Sequence, residues 1–245
     1  MAIAEASQRP NINCVPIKTI EQQDIQALHR LRDRYVANRV ALTNQIHCIT
    51  SEYGIAFQTG HKAFRQFISS LYEPQHKQLT PLIKSEIAQA EDLYYWLSER
   101  ISDIEEKLKK VAEKNRFCQI LLSIPGIGLM NATALYSAIG NASQFTKGRD
   151  LSIWLGLTSK QKASGETSRM TGITKRGHPY LRKQLIHGAR AALSRSKGKE
   201  DKLSTWAQNI VERRGFAKAT VTFASKIARI AFVLISKNEL YKPQH

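Results

Sequence analysis

One segment of the chain carries an unbroken heptad pattern of apolar residues. Between Ile83 and Val111 the apolar positions are separated alternately by four and three residues, over four repeats. This spacing keeps one apolar stripe on the same side of a helix and is typical of coiled coils. With Pro81 in the first turn, the pattern predicts a helix to about Asn115, roughly 50 Å long. The stripe comprises Ile83, Ile87, Ala90, Tyr94, Leu97, Ile101, Ile104, Leu108 and Val111.

An earlier segment predicts a second long helix, from Ile20 to Tyr53. Thr19 and Gln22 have the spacing of a capping box at its start, and Gly54 is suited to end it. We expect an apolar stripe formed by Leu28, Leu31, Tyr35, Leu42, Ile46 and Ile49. The two helices pair either within one chain or with another subunit. We favour a homo-oligomer formed through the coiled coil.

A glycine-containing turn separates two apolar helical runs near the middle of the chain. Residues 124–128 read Ile-Pro-Gly-Ile-Gly. Gly126 and Gly128 permit a tight turn, and the helix that follows presents backbone amides and a positive dipole end to a phosphate. The pattern predicts a helix-hairpin-helix that holds a nucleic-acid backbone without reading bases. An ordinary helix–helix turn that requires glycine is the alternative.

Two further helices are predicted towards the C-terminus, Leu203–Arg214, which Gly215 ends, and Ala217–Lys237. The predicted fold class is therefore mainly α, with a long helical coiled-coil region followed by a compact basic helical domain that contains the helix-hairpin-helix. The most apolar tract, Ile227–Ile235, is short and contains Arg229. We therefore expect no membrane span and recognise no signal peptide.

The positive charge is concentrated in the C-terminal half of the chain. The 245 residues carry a net charge of +17. Residues 1–115 hold 15 Lys/Arg and 14 Asp/Glu, whereas residues 116–245 hold 22 and 6. A domain this basic most often neutralises the phosphates of nucleic acid, so DNA is the expected partner. A generally basic protein is the alternative.

Seven cations lie within 24 residues of this half, interrupted by one acid, Glu166. They are Lys160, Lys162, Arg169, Lys175, Arg176, Arg182 and Lys183. Acids are too few here for a solvated face of mixed charge, so we predict a phosphate-binding surface.

Ser164, followed by Gly165 in a polar loop among these cations, is the candidate nucleophile, although loop serines more often form turns. The rival nucleophiles are Thr167, Ser168 and Tyr180. His178 and His187 are candidate acids or bases, although a lone histidine is more often structural.

The remaining chemistry-bearing residues predict neither a metal site nor a disulfide framework. Cys14, Cys48 and Cys118 are far apart and form no CxxC pair. Three free thiols fit a reducing cytoplasm, the expected location. The basic half has no paired carboxylates and no phosphate-binding P-loop, so we expect no metal in this chain.

Several motifs together resemble one family. They read IPGIG, WLGLTSKQKASG, GITKRG, YLRKQLIHGARAAL and ERRG. The run from Gln119 to Leu193 resembles the C-terminal domain of the DEDD-type insertion-sequence transposases, the bridge-RNA-guided recombinases of the IS-one-ten/IS-eleven-eleven group. The segment that begins at Val15 is similar to the family's linking segment, so the resemblance covers nearly the whole chain.

The resemblance implies a function and a domain order. In that family a serine of this domain becomes covalently joined to DNA, and by motif position that serine is Ser164. A RuvC-like domain supplies four acids that bind a divalent metal, by implication Mg, and a guide RNA is a partner. The implied domains are a remnant of the end of the RuvC-like domain (1–18), a helical coiled-coil region (19–115) and a C-terminal transposase DNA-binding domain (116–245).

We therefore expect an N-terminally truncated transposase, a site-specific recombinase by ancestry, that binds DNA but is inactive alone because the metal-binding acids are missing. Two other interpretations stay open at this point. One is a non-catalytic helix-hairpin-helix protein that dimerises and binds DNA. The other is a coiled-coil interaction protein whose basic half binds RNA.

Overall fold

A computed structural model of the chain describes residues 4–5, 8, 15–164 and 166–243. Most of the predicted remnant at residues 1–18 lies outside these described residues. The protein is mostly helical, which confirms the predicted mainly α class, whereas the coiled coil and the helix-hairpin-helix stay predictions. The helices are α1 (Ile20–Glu52), α2 (His61–Ser69), α3 (Pro81–Lys114), α4 (Arg116–Leu122), α5 (Leu129–Ile139), α6 (Gly148–Trp154), α7 (Pro179–Ser194), α8 (Lys202–Arg214) and α9 (Phe216–Lys237). A two-stranded sheet, β1 (Ser159–Ser164) with β2 (Thr167–Ile173), completes the described elements, apart from a 3-10 turn at Pro74–His76.

The ends of the long helices follow the predicted capping signals. The backbone amide of Gln22 donates to Thr19 Oγ1 over 3.2 Å, and the amide of Thr19 donates to Gln22 Oε1 over 3.0 Å. Gly54 lies just beyond α1 with a φ of 73°, and Gly215 ends α8 with a φ of 79°. Both ends therefore occur where a left-handed conformation favours glycine.

The chain divides into two compact units. We call residues Ala27–Lys107 the neutral unit, and residues Met1–Gln26 together with Leu108–His245 the basic unit. The neutral unit contains ten Lys/Arg and ten Asp/Glu, so the whole net charge of +17 belongs to the basic unit. The units divide inside α1 and α3, and the expected domain bounds at residues 18/19 and 115/116 stay a prediction.

In the neutral unit, the heptad stripe of α3 is buried against the antiparallel α1. Tyr94, Leu97 and Ile101 are at most 5% exposed. Side chains join the two helices: Arg32 Nε donates to Glu105 Oε1 over 2.8 Å, and Arg39 donates to Ser98 Oγ over 3.1 Å. The predicted stripe is therefore used within one chain, and a homo-oligomer remains a prediction.

The inward face of α1 differs from the expected apolar stripe. Leu31, which the prediction placed on that stripe, is 47% exposed. His29 is 4% exposed instead, and Thr50 is fully buried. The inward positions repeat every three or four residues but are largely polar, so a search for apolar periodicity selects a neighbouring face. The positions are His29, Arg32, Val36, Arg39, Thr43, Ile46 and Thr50.

An apolar cluster closes one end of the neutral unit. Phe57 stacks on Phe67 with ring centroids 4.2 Å apart, and His61 Nδ1 lies 2.8 Å from the Tyr94 hydroxyl. The buried members are Ile46, Ile55, Phe64, Phe67, Ile68, Leu71, Leu79, Ile87 and Tyr94. The neutral unit thus has a core of its own.

In the basic unit, α9 is the central helix and contacts α4, α6, α7 and α8. Its inward face is made of small and apolar residues: Ala219, Phe223, Ala224, Ile227, Ala228, Ala231 and Ile235 are all buried. Among the described residues, α9 is the one helix long and apolar enough to cross a membrane by length and composition. Its packing against four helices gives that apolar face the role of a protein core.

The segment around Ser164 is a β-hairpin instead of the expected loop. β1 and β2 are antiparallel, and Ser164 is paired with Thr167. Every residue of β1 is exposed. A strand that buries no face needs no alternation of apolar and polar residues, so the sequence carried no strand signal here.

Candidate nucleic-acid interface

The Pro125–Gly128 turn joins α4 to α5, and its two glycines have different surroundings. Gly126 has a φ of 91°, and a Cβ there would lie 2.8 Å from Ile227 Cδ1 and 3.0 Å from the carbonyl oxygen of Gly188. Glycine is therefore required at this position by its conformation and by close packing on α7 and α9. This packing explains Gly126 without a ligand, so its contact with a phosphate stays a prediction.

Gly128 is exposed and forms the start of α5. It is the N-cap, no side chain caps the helix there, and nothing lies within 4 Å of the site of a Cβ. Pro125 beside it is also exposed. The start of α5 therefore lies next to an exposed turn and has no side-chain cap, and contact of its amides with a phosphate stays a prediction.

The second glycine turn, residues 172–177, lies against the end of α6. A Cβ on Gly177 would come within 1.9 Å of the Trp154 carbonyl oxygen, and the Lys175 amide donates to the Gly156 carbonyl over 3.3 Å. Lys175 has a φ of 55°, which is unusual for a residue with a side chain. These contacts fix the backbone, whereas the side chains of Lys175 and Arg176 remain exposed.

The two predicted cations at the start of α7 are both engaged with the protein. Arg182 is half-buried and donates from Nη1 to the Leu155 carbonyl oxygen over 3.1 Å. Lys183 lies 5.3 Å from the centre of the Tyr180 ring, within the range of a cation–π contact. Arg182 therefore serves to hold α7 on α6, while Lys183 keeps an exposed position.

The hairpin brings a second group of predicted residues together on one face. Lys162 is directly opposite Arg169 in the register, and Ser164 is opposite Thr167. Because side chains two apart share a face of a strand, these four lie on one side. Gln161 and Ser168 lie on the other side, where Gln161 Nε2 donates to Ser168 Oγ over 2.8 Å. Lys160 is exposed at the irregular step between Ser159 and Gln161.

Ser164 is exposed at the end of β1. Among the described residues its hydroxyl has no hydrogen-bond partner, and Thr167 is its neighbour across the sheet. His178, a conceivable acid or base, accepts the Leu181 amide at Nδ1 as the N-cap of α7. The described residues therefore supply a hydroxyl beside two cations but no base that activates it.

Only part of an exposed stripe of basic side chains on α7 was identified from the sequence. Lys183, His187 and Arg190 are exposed at spacings of four and three, so they lie along one side of the helix. His187 was considered only as an acid or base, and Arg190 not at all. Their spacing of four and three residues from Lys183 along the helix is visible in the sequence and could have identified them.

The thiols and carboxylates of the described residues offer no further reactive site. Cys48 and Cys118 are unpaired, and burial raises the pKa of the Cys118 thiol to about 12. Cys14 lies outside the described part of the chain. No group of three His, Cys, Asp or Glu side chains able to hold a metal ion occurs among the described residues. The described residues thus do not fit the divalent metal that the family resemblance implies.

Comparison with known proteins places these features in a family. The signature of the Transposase IS116/IS110/IS902 family matches residues 118–204, which include the Pro125–Gly128 turn, the hairpin and α7. The transposase for insertion sequence element IS1111A of Coxiella burnetii is 42% identical over 98% of this chain and 66% of its own length.

Two further relatives are similar over nearly the whole chain. A "probable family 20 transposase" of Pseudomonas aeruginosa is 35% identical over 99% of this chain and 72% of its own length. The transposase for insertion sequence element IS1328 of Yersinia enterocolitica is 32% identical over 98% of this chain and 71% of its own length. The chain spans 66% to 72% of the length of these three relatives. Similarity of this extent shows that the chain belongs to the IS116/IS110/IS902 family of insertion-sequence transposases.

Proposed function

We propose that the basic unit binds DNA and that Ser164 is the nucleophile that attacks a DNA phosphodiester during transposition. The observation that carries this proposal is the paired position of Lys162 and Arg169, next to Ser164 on one exposed face of the hairpin. The names of the relatives, which are transposases of insertion sequences, support DNA as the partner.

The electrostatics of this face favour an anionic ligand. Two like charges directly opposite each other in an antiparallel pair are destabilising by up to about 1 kcal/mol. A phosphate between Lys162 and Arg169 turns this repulsion into two attractive contacts. The hairpin face is therefore better suited to a bound polyanion than to water alone.

The proposed reaction conserves the phosphodiester bond energy. Ser164 Oγ loses its proton and forms a bond to phosphorus, while the bond from phosphorus to one bridging sugar oxygen breaks. That sugar oxygen leaves with a proton, so the strand is cut and held as a serine ester. Lys162 and Arg169 stabilise the charge that develops on the phosphoryl oxygens. The base that accepts the serine proton and the acid that protonates the departing sugar oxygen both come from outside the described residues.

The family resemblance adds two partners to this proposal. A guide RNA and further copies of the chain would complete the assembly that acts on DNA. Open amides at Gly128 and the exposed stripe of α7 would hold the duplex backbone near the hairpin. A DNA-binding protein without strand chemistry is the competing function, because Ser164 lacks a base among the described residues.

The test compares Ser164→Ala with Ser168→Ala, which removes the same hydroxyl from the opposite face of the same hairpin. The chain is incubated with element-end DNA, guide RNA, Mg²⁺ and a separately supplied RuvC-like domain, which contributes the four acids that the resemblance implies, and covalent protein–DNA adducts are detected on a denaturing gel. We expect an adduct with the wild type and Ser168→Ala but none with Ser164→Ala, at unchanged DNA affinity. An adduct that survives Ser164→Ala rejects the nucleophile. DNA binding by the wild type without any adduct favours the competing function.

A further inference from the structure

The basic unit contains a groove of about 640 Å³ whose lining includes no residue of the hairpin or of the Pro125–Gly128 turn. Trp206 of α8, the outer face of α9 and the chain segment after α9 line it. Its volume lies in the range of small-ligand sites in proteins, about 300–1,000 Å³. None of the residues that sequence analysis assigned to nucleic-acid binding lies in this groove.

One wall of the groove is the C-terminal segment, which folds back on the protein. Asn238 ends α9 in a left-handed conformation, and the Arg116 guanidinium donates to its side-chain and backbone oxygens over 3.2 and 3.3 Å. The Tyr241 amide then donates to Ser123 Oγ over 2.8 Å. Hydrogen bonds thus hold this segment at Asn238 and at Tyr241, so the wall of the groove has a defined position.

The lining combines an aromatic floor with a cationic rim. Trp206 is half-buried, rests on the buried Phe223 with ring centroids 6.3 Å apart, and has the Lys226 ammonium 5.5 Å from its ring centre. Four exposed cations surround the groove, against one acid, Glu239. The cations are Lys202, Lys226, Arg229 and Lys242.

We propose that this groove binds an unpaired nucleotide of a single-stranded nucleic acid, with its base stacked on Trp206 and its flanking phosphates held by Lys226 and Arg229. An indole face that admits a cation also admits a base, since both interact with the π-system. Single-stranded nucleic acids are bound by this combination of an aromatic platform and a positive groove. The groove is a second site, which rests on the proposal that the basic unit binds nucleic acid but is independent of the chemistry at Ser164.

The groove requires an occupant that is both flat and anionic. An acidic amphipathic peptide satisfies the charge but offers no flat ring for the indole, so the aromatic floor favours a nucleotide. Single-stranded DNA and single-stranded RNA share this chemistry, and the experiment separates them.

When the other two tryptophans are replaced, the fluorescence of Trp206 reports whether the groove is occupied. In a Trp96→Phe, Trp154→Phe background, we expect octamers of deoxythymidine or uridine to quench the Trp206 fluorescence through stacking. An abasic phosphodiester octamer at the same phosphate concentration should not quench it. The tighter of the two base-containing octamers identifies the natural type of strand. Equal quenching by the abasic octamer, no quenching by any octamer, or quenching only by a Glu/Leu peptide overturns the proposal.

Affinities of variants complete the test. Trp206→Leu should weaken octamer binding at least about fivefold and change the affinity for a 20-base-pair duplex less than twofold. Lys226→Met should lower the salt slope for the octamer by about 0.7, whereas Lys218→Met, an exposed lysine of the same helix outside the groove, should not. Unchanged octamer affinity in both groove variants refutes the site, while loss of duplex binding in the wild type refutes the proposed DNA function instead.

Discussion

The neutral and basic units show two uses of charge within one chain. In the neutral unit, cations bond to acids of the same unit: Arg32 to Glu105, and Arg100 to Asp103 over 2.8 Å. In the basic unit, Arg116 and Arg182 instead bond to amide and carbonyl oxygens, which neutralise nothing. Internal pairing stabilises a structural element, whereas an excess of cations on a folded surface is available to an external polyanion.

The two units also differ in how closely their backbones pack. The helices of the neutral unit meet through long side chains, such as Arg39 with Ser98. In the basic unit, the turn at Gly126 meets α7 at Gly188 through direct backbone contact. The two units should therefore respond differently to a single added methyl group.

The largest expected effect follows from that backbone contact. Gly188→Ala places a Cβ 1.9 Å from the Gly126 carbonyl oxygen. The clash should outweigh the gain in helix propensity of about 1 kcal/mol and destabilise the basic unit by about 3 kcal/mol or more. Hydrogen exchange resolved by peptide should show lost protection in α5, α7 and α9, with α2 unchanged. Gly172→Ala, where nothing lies within 4 Å, is the control; similar protection in both variants would contradict the packing argument.

A cavity in the neutral unit should destabilise that unit and leave the basic unit unaffected. Leu97 is 2% exposed on the heptad stripe, so Leu97→Ala should cost about 2–5 kcal/mol. Urea unfolding measures the loss, and duplex DNA affinity of the folded protein should not change. Leu93→Ala on the same helix, where Leu93 is 48% exposed, serves as the control. An equal cost at both positions would mean that the stripe is not the buried face.

The pH dependence of the neutral unit should reveal its buried histidine. Burial, and then the nearby Arg32, lowers the pKa of His29 from 6.5 to about 4. Below pH 6.5 His29 is protonated in the unfolded chain but stays neutral in the folded chain. The free energy of unfolding therefore falls as the pH drops towards 4. Between pH 7 and pH 5 the loss should be about 2 kcal/mol. His29→Gln should remove this part of the slope in urea titrations; an unaltered slope would assign it to other groups.

The smallest expected change in stability concerns the hairpin. Lys162→Gln with Arg169→Gln removes a repulsive pair, so the free protein should gain a few tenths of a kcal/mol. The same double variant should flatten the salt dependence of duplex DNA binding by roughly two units of slope. Lys77→Gln in the neutral unit is the control, and should leave the slope unaltered. A slope that survives the double substitution would exclude the hairpin from the DNA interface.

The sequence predicted the helices whose apolar periodicity matches their buried face, or whose ends carry a capping motif. The heptads from Ile83 to Val111 predicted α3, and the Thr19–Gln22 pair predicted the start of α1. Both succeed because periodicity and capping depend on near neighbours in the chain. Gly215 likewise predicted the end of α8.

Features that depend on distant contacts were not predictable in the same way. The inward face of α1 carries Arg32 and Arg39, which are tolerated there because Glu105 and Ser98 lie opposite on α3. The packing role of Gly126 depends on Gly188, 62 positions later in the chain. The candidate site was predicted as a group of cations, but the opposition of Lys162 and Arg169 required the strand register.

The exposed hairpin has a consequence for how this protein can change. Because β1 buries no side chain, substitutions along its length remove almost no core packing and so carry little folding penalty. The positions of β1 other than Lys162 and Ser164, which the proposed reaction uses, can therefore vary while α9 and its neighbours keep the scaffold intact. Selection on the two-stranded arm therefore acts on what its side chains contact, and hardly at all on the stability of the fold.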